Sequence, residues 1–98
     1  MKVLFTATAE RHFLSALEYI RRDNRSAALS FRDRALESLD RLQEFPESGR
    51  HIPEFPDLPY REGLVPPYRF FYRVKEGEER VWIVNVWHDA QIPSEPMT

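Results

Sequence analysis

Apolar residues in the first half of the chain recur every three or four positions, in two runs that a polar stretch separates. The first run is Ala9, Phe13, Ala16, Leu17 and Ile20, and the second is Ala28, Phe31, Ala35, Leu39 and Leu42. This spacing puts each run on one face of an amphipathic helix. Thr6 or Thr8 can cap the first helix, which runs to about Arg22, and Pro46 ends the second. The pattern therefore predicts a helical hairpin with a turn at residues 23–26.

Strand signals dominate the rest of the chain. Lys2–Thr6 is a short apolar strand, and the connector Pro46–Pro67 holds six of the eight prolines around a brief strand at Tyr60–Leu64. Tyr68–Lys75 and Arg80–His88 are rich in β-branched and aromatic residues and flank a polar turn. These two runs predict an antiparallel hairpin.

The register of this hairpin decides which side chains share a face. With Gly77 and Glu78 at the tip of the loop, Arg69 pairs with Val86. One face then carries Arg69, Phe71, Arg73, Trp82, Val84, Val86 and His88, and the other carries Tyr68, Phe70, Tyr72, Val74, Val81, Ile83, Asn85 and Trp87. The second face is the more uniformly apolar and should pack on the helices.

Two helices cover only one face of a small sheet, so the Arg69 face needs another explanation. We expect it to be an exposed binding surface in which Arg69 and His88 are diagonal neighbours. The alternative is that the Pro-rich connector or the tail, residues 89–98, folds over it. A bulge in the hairpin would break the assumed register.

Length and composition restrict the class of protein. Ninety-eight residues with 42% hydrophobic content suit a single domain over residues 1–98. The absence of cysteine excludes disulfides and thiolate metal sites, and three scattered histidines predict no metal cluster. The apolar start of the chain is too short for a signal peptide or a membrane span, so we expect a cytoplasmic protein without membrane contact.

The charge balance limits nucleic-acid binding to a local patch. The formal net charge is −2, yet twelve of the fourteen basic residues are arginine. Arginine binds phosphate and carboxylate through a planar fork. A net acidic chain lacks the broad positive field of a typical nucleic-acid-binding protein, so any phosphate chemistry must rest on a few arginines.

The order of elements and several motifs together resemble a known superfamily. "FPESGRHIPE", "YREGL", "PYRFFYRV" and "VWIVNVWH" follow the helical hairpin in this order. From Val3 to Asp89 the chain resembles the RelE/ParE superfamily of type II toxin–antitoxin toxins. The resemblance implies an α+β fold of order β-α-α-β-β-β, with an N-terminal strand and an antiparallel two-helix hairpin on one face of a small, mostly antiparallel sheet. It also implies an antitoxin that grips the toxin, and no cofactor.

The superfamily divides by target. RelE-like members cut messenger RNA in the ribosome, which requires a general base, a general acid and cationic stabilisation of the phosphorane. For that activity the resemblance implies Arg69 as the phosphate stabiliser and His88 as acid or base, with Glu54 and Arg61 as weaker candidates. ParE-like members inhibit DNA gyrase. "GRHIPE", "YRFFYRV" and "WHDAQIP" are more similar to the ParE branch, and Asp89 stands where nucleases often carry tyrosine.

The sequence therefore predicts a ParE-like toxin that arrests growth by inhibiting DNA gyrase, contributes to plasmid stabilisation, and is neutralised by a cognate antitoxin in a toxin–antitoxin hetero-oligomer. Candidate binding residues are Arg50, Arg61, Arg69, Phe71, Arg73 and Trp82, and we expect the antitoxin to cover the Arg69 face. One alternative is a RelE-like endoribonuclease that acts on the ribosome and mRNA. Another is an inactive relative that serves only as a binding module.

Several of these residues also have structural interpretations. Arg69 can pair with a carboxylate such as Glu62, and Arg50 can cap the second helix. His88 is more often a hydrogen-bonded rim residue than an acid. For His12 and His51 the sequence offers no partners, so solvated positions are expected.

Overall fold

The computed structural model describes residues 1–91, and Ile92–Thr98 of the predicted tail lie outside the described residues. The elements are β1 (Lys2–Phe5), α1 (Ala7–Asp23), α2 (Arg25–Glu44), β2 (Arg50–His51), β3 (Arg61–Val65), β4 (Tyr68–Lys75) and β5 (Arg80–His88), with a 3-10 turn at Glu76–Glu78 before β5. The strands form one five-stranded sheet in the order β1-β5-β4-β3-β2. Only the β1–β5 pair is parallel. The predicted α+β fold with a two-helix hairpin is confirmed, and β2 is a strand that the sequence did not predict.

Side-chain caps set the ends of the two helices. Thr6, and not Thr8, caps α1, because its hydroxyl accepts a hydrogen bond of 3.1 Å from the Ala9 amide. Asn24 caps α2 by accepting from the Ala27 amide at 3.0 Å, and its own amide donates to the Ile20 carbonyl. The predicted four-residue turn is therefore wrong, since one capping residue joins the helices. Neither helix of residues 1–91 is long and apolar enough to cross a membrane.

The helical hairpin packs on one face of the sheet and forms the main core. Ala9, Ala16 and Ala35 are buried at the contact, where small side chains let the helices approach the strands. Phe31 is fully buried and lies 5.2 Å, ring centre to ring centre, from Tyr68. The sheet contributes Val65, Tyr68, Phe70, Tyr72, Val81, Ile83 and Val86 to this cluster.

A β-bulge divides the β4–β5 hairpin. Near the turn the pairing is as predicted, with Arg73 opposite Trp82, but the register shifts between Phe71 and Tyr72. Val84 is the extra residue of β5, so Arg69 pairs with Trp87 and not with Val86. The predicted register is wrong beyond the bulge, because one inserted residue reverses the face of every side chain that follows.

The second face of the sheet is covered by the chain itself. Ile52, Tyr60 and Phe71 form a second buried cluster, with Phe55, Leu58, Val84 and Trp87 packed against it. We call residues 52–60 the cover segment. Phe71 and Ile52 are 0% exposed, so the expectation of an open apolar patch around Phe71 is wrong. The alternative of a Pro-rich connector folded over this face holds instead.

Candidate functional site

Arg69 lies at the centre of a network of four charged side chains under the cover segment. Its Nη1 and Nη2 donate to the two oxygens of Glu54 at 2.9 and 2.6 Å. Its Nε donates to Oε1 of Glu62 at 2.8 Å, and Arg50 donates to Oε2 of Glu62 at 2.6 Å. The Arg69 guanidinium also lies over the Phe71 ring, 5.1 Å from its centre. The structural interpretation of Arg69 as the partner of Glu62 is confirmed.

The backbone brings these groups together from three strands, β2, β3 and β4, and from the cover segment. Glu62 of β3 pairs with Phe71 of β4, and Arg69 precedes Phe71 by two residues, so the three side chains share one face. The Phe55 amide donates to the Ile52 carbonyl at 2.9 Å and closes a turn. This turn places Glu54 over the same face of the sheet. Arg69 therefore joins the cover segment to the centre of the sheet.

The backbone at Gly49, just before β2, lies close to β3 and β4. The Gly49 amide donates to the Tyr72 hydroxyl at 2.9 Å, and the Gly49 carbonyl accepts from Arg61 at 2.8 Å. A Cβ on Gly49 would lie 2.5 Å from the Tyr72 hydroxyl and in contact with the Glu62 carbonyl oxygen. Glycine is required here because of this close packing, since its φ is not positive.

The electrostatics of the network favour its charged forms. The hydrogen bonds from Arg69 hold the pKa of Glu54 below its ordinary value. Those same bonds, with a further contribution from Glu62, raise the pKa of Arg69 although burial opposes this. The side chain of Glu62 is 0% exposed and that of Arg69 is 6% exposed, whereas Glu54 lies at the rim with 37% exposure. The two cations and two carboxylates balance in charge, as a buried ionic network requires.

This arrangement leaves Arg69 little capacity for a phosphate ligand. All three guanidinium nitrogens already lie within hydrogen-bond distance of carboxylate oxygens. A phosphate would have to break these ion pairs and displace the cover segment together with Glu54, and the buried carboxylate of Glu62 would still repel it. The geometry is that of a structural connection between loop and sheet.

His88 lies on the other face of the sheet from Arg69. Its ring meets Tyr68 edge-on at 5.2 Å, and its Nδ1 accepts from the Ala90 amide at 3.0 Å. It lines a groove of about 660 Å³ between α1 and the end of β5, together with His12, Ser15, Tyr19 and Tyr68. The prediction that Arg69 and His88 share a face is wrong, because the bulge at Val84 turns His88 towards the helices.

Of the other predicted binding residues, Arg50 belongs to the network, whereas Arg61 and Arg73 lie outside it. Arg73 lies over the Tyr60 ring at 5.7 Å and pairs with Trp82. Arg61 donates to the Gly49 carbonyl and forms no ion pair among the described residues. Arg50 pairs with Glu62, so its predicted role as a cap of α2 is wrong. The roles of these residues in binding stay predictions.

Two hydrogen bonds of the Asn85 side chain were not predicted from the sequence. His12 Nδ1 lies 2.5 Å from Oδ1 of Asn85, so the expectation that His12 has no partner is wrong, although His12 is exposed as expected. The same oxygen accepts from the Val86 amide at 2.9 Å, which ties α1 to the bulge. A buried asparagine in an apolar strand is the only sign that could have indicated such a tie. No group of three His, Cys, Asp or Glu side chains that could hold a metal ion occurs in residues 1–91.

The fold is that of a small α+β protein, and its charged network lies between the cover segment and the sheet. Comparison with known proteins identifies the family. The family model for the ParE toxin of the type II toxin–antitoxin system parDE matches residues 3–93, and the chain therefore belongs to this family.

Solved structures agree on the fold. The chain is similar to a protein in the structure titled "Chromosomal ParDE TA system from P. aeruginosa", with a TM-score of 0.71 and 18% identity. The similarity covers 90% of this chain and 95% of that one. A comparison with curated protein sequences finds no match.

Proposed function

We propose that this ParE-family toxin arrests growth by inhibiting DNA gyrase, does not cleave RNA, and is neutralised by a cognate antitoxin. The observation that carries the proposal is the separation of the two candidate catalytic groups. Arg69 is buried against Glu54 and Glu62, and His88 projects from the opposite face of the sheet. Acid–base cleavage of RNA needs these groups around one phosphate. Their separation supports the ParE-like activity over the RelE-like one.

The cover segment already occupies the part of the sheet around Arg69 that the sequence predicts as the antitoxin surface. The antitoxin therefore needs another surface. The helical hairpin instead carries large apolar side chains in solvent: Leu14 is 55% exposed, Leu29 is 45% and Leu36 is 49% exposed. Leu29 and Leu36 are seven residues apart and so share a face of α2. An antitoxin segment with apolar anchors would bury these side chains, as hot spots in protein interfaces do. The family match and the similarity to a protein of a ParDE system support an antitoxin partner.

The gyrase proposal is tested with purified toxin in two reactions. In the first, gyrase and relaxed DNA are incubated with toxin, and supercoiling and trapped cleavage are read on gels. In the second, ribosomes translate a defined message, which is mapped for cuts. We expect inhibited supercoiling or trapped cleavage in the first reaction and an intact message in the second.

The matched control is toxin that has first been saturated with the product of a short reading frame adjacent to its gene. This complex should leave gyrase active. Codon-positioned cuts in the message would overturn the proposal in favour of the RelE-like activity. A toxin without effect in either reaction would instead favour an inactive binding module.

A further inference from the structure

Three cations stand side by side across three neighbouring strands. Lys75 of β4 pairs with Arg80 of β5, and Arg80 pairs in turn with Lys2 of β1. Neighbouring strands lie about 4.8 Å apart, so the three residues span about 10 Å of the sheet. Both lysines of the chain belong to this row. We call these three residues the cationic row.

The adjacent row of the sheet adds a fourth cation and an aromatic ring. Arg73 pairs with Trp82, and Trp82 pairs with Leu4. Because residues two apart on a strand share a face, this row projects on the same side as the cationic row, away from the helices. Arg73, Trp82 and Leu4 are half-buried, whereas Lys2 and Arg80 are exposed. The bulge lies further along the hairpin, so both rows keep a regular register.

This arrangement costs stability unless an anion binds to it. Like charges directly opposite each other on neighbouring strands repel. None of the ion pairs in residues 1–91 includes Lys2, Arg73, Lys75 or Arg80. Carboxylates do occur nearby, since Glu44, Glu78 and Glu79 line a hollow beside Lys2 and Arg80, but they form no ion pair with these cations. In a chain with net charge −2, such a row indicates a negatively charged ligand.

We propose that the cationic row, with Arg73 and Trp82, binds the phosphodiester backbone of DNA. Lysine and arginine neutralise successive phosphates, and a half-exposed tryptophan among them is a surface on which a base or sugar can pack. The surface is a row of cations beside one half-buried aromatic ring, which favours a nucleic acid over an acidic protein segment, because protein interfaces depend mainly on apolar anchors. The inference extends the proposed function, because gyrase acts on DNA and a toxin that also held the DNA would engage the enzyme–DNA complex.

The test measures binding of a fluorescein-labelled DNA duplex to purified toxin by fluorescence anisotropy, without gyrase, between 50 and 200 mM salt. With four phosphate contacts, the affinity of the wild type should fall about 100-fold over this range. A variant with Lys2, Lys75 and Arg80 changed to Gln should bind more weakly at 50 mM salt and lose only about fourfold. The matched control changes three exposed helix cations, Arg22, Arg25 and Arg41, to Gln and should behave as the wild type.

Folding is followed in every variant by thermal melting, and removal of the row should not lower the melting temperature because the like charges repel. The single changes Lys75→Gln and Arg80→Gln give a second measurement, each reducing the salt dependence by about one phosphate contact. No DNA binding at 50 mM salt, or equal losses in the row variant and the control, would overturn the proposal. Tighter binding to a poly-glutamate peptide than to DNA would reassign the surface to an acidic protein. Gyrase is absent from this assay, so its outcome is independent of the gyrase test.

Discussion

Arg69 pairs with Trp87 across the β4–β5 ladder, and His88 therefore projects from the opposite face of the sheet. The single extra residue at Val84 causes this separation. Arg69 forms ion pairs with Glu54 and Glu62 under the cover segment, whereas His88 lines the groove beside α1. Two residues that the sequence placed in one catalytic site thus have different environments, and the structural role of each can be tested alone.

Replacing Arg69 should destabilise the fold. Arg69→Met leaves the buried carboxylate of Glu62 with Arg50 as its remaining partner and releases Glu54, and loss of one member of a buried ion pair costs about 3–5 kcal/mol. Arg69→Lys should recover part of this loss, because an ammonium group cannot reproduce the forked contact with Glu54. The free energy of unfolding is measured by urea denaturation.

The control for Arg69 is Arg32, whose ion pair with Asp33 is exposed. Arg32→Met should change the free energy of unfolding by less than about 0.5 kcal/mol. Unchanged stability of Arg69→Met together with lost toxicity would identify Arg69 as a functional cation and not a structural one.

The ion pair of Glu54 should make stability depend on pH. Because the folded-state pKa of Glu54 is lowered by Arg69, the stabilisation is complete above the ordinary value of 4.5 and is lost as the pH falls through the folded-state pKa. At pH 7, Glu54→Gln should be less stable than the wild type in urea, and this deficit should shrink as the pH approaches 3.

Glu37 serves as the control for the pH series, since it is exposed and belongs to none of the ion pairs in residues 1–91. Glu37→Gln should have little effect on unfolding at any pH. A deficit of Glu54→Gln that is the same at pH 3 and pH 7 would show that the ion pair with Arg69 does not stabilise the protein.

Gly49 should tolerate no side chain. The added methyl group of Gly49→Ala would press on the Tyr72 hydroxyl and the Glu62 carbonyl, and overpacking of this kind costs about 1–3 kcal/mol. Gly77→Ala is the control, because no atom lies within 4 Å of a Cβ placed there. Thermal melting compares the two variants, and equal melting temperatures would contradict the close packing at Gly49.

Local sequence patterns were sufficient to predict most of the fold. The recurrence of apolar residues from Ala9 to Leu42 predicts both helices because each has one apolar face. The β-branched and aromatic residues of Tyr68–Lys75 and Arg80–His88 predict both long strands, whose bounds the structure confirms. These signals are local, so they can be read from the sequence without knowledge of the tertiary structure.

The site depended on information that local patterns do not contain. A bulge adds one residue without changing the apolar character of β5, so nothing in "VWIVNVWH" indicates that Val84 is unpaired. The cover segment combines prolines and apolar residues with the carboxylates of Glu54 and Asp57, and its contact with Phe71 is a tertiary contact that no local pattern predicts. Only Glu62, the one carboxylate of β3, indicated the partner of Arg69.

The most direct test of the account is growth arrest by His88→Gln on inducible expression, measured beside the wild type and beside His51→Gln, an exposed histidine of β2. If the toxin acts without Arg69–His88 phosphate chemistry, His88→Gln should arrest growth as the wild type does, since glutamine can also accept a hydrogen bond at this position. Thermal melting confirms that each variant is folded. Loss of growth arrest in His88→Gln alone, with an unchanged melting temperature, would contradict the account and identify His88 as a catalytic acid or base.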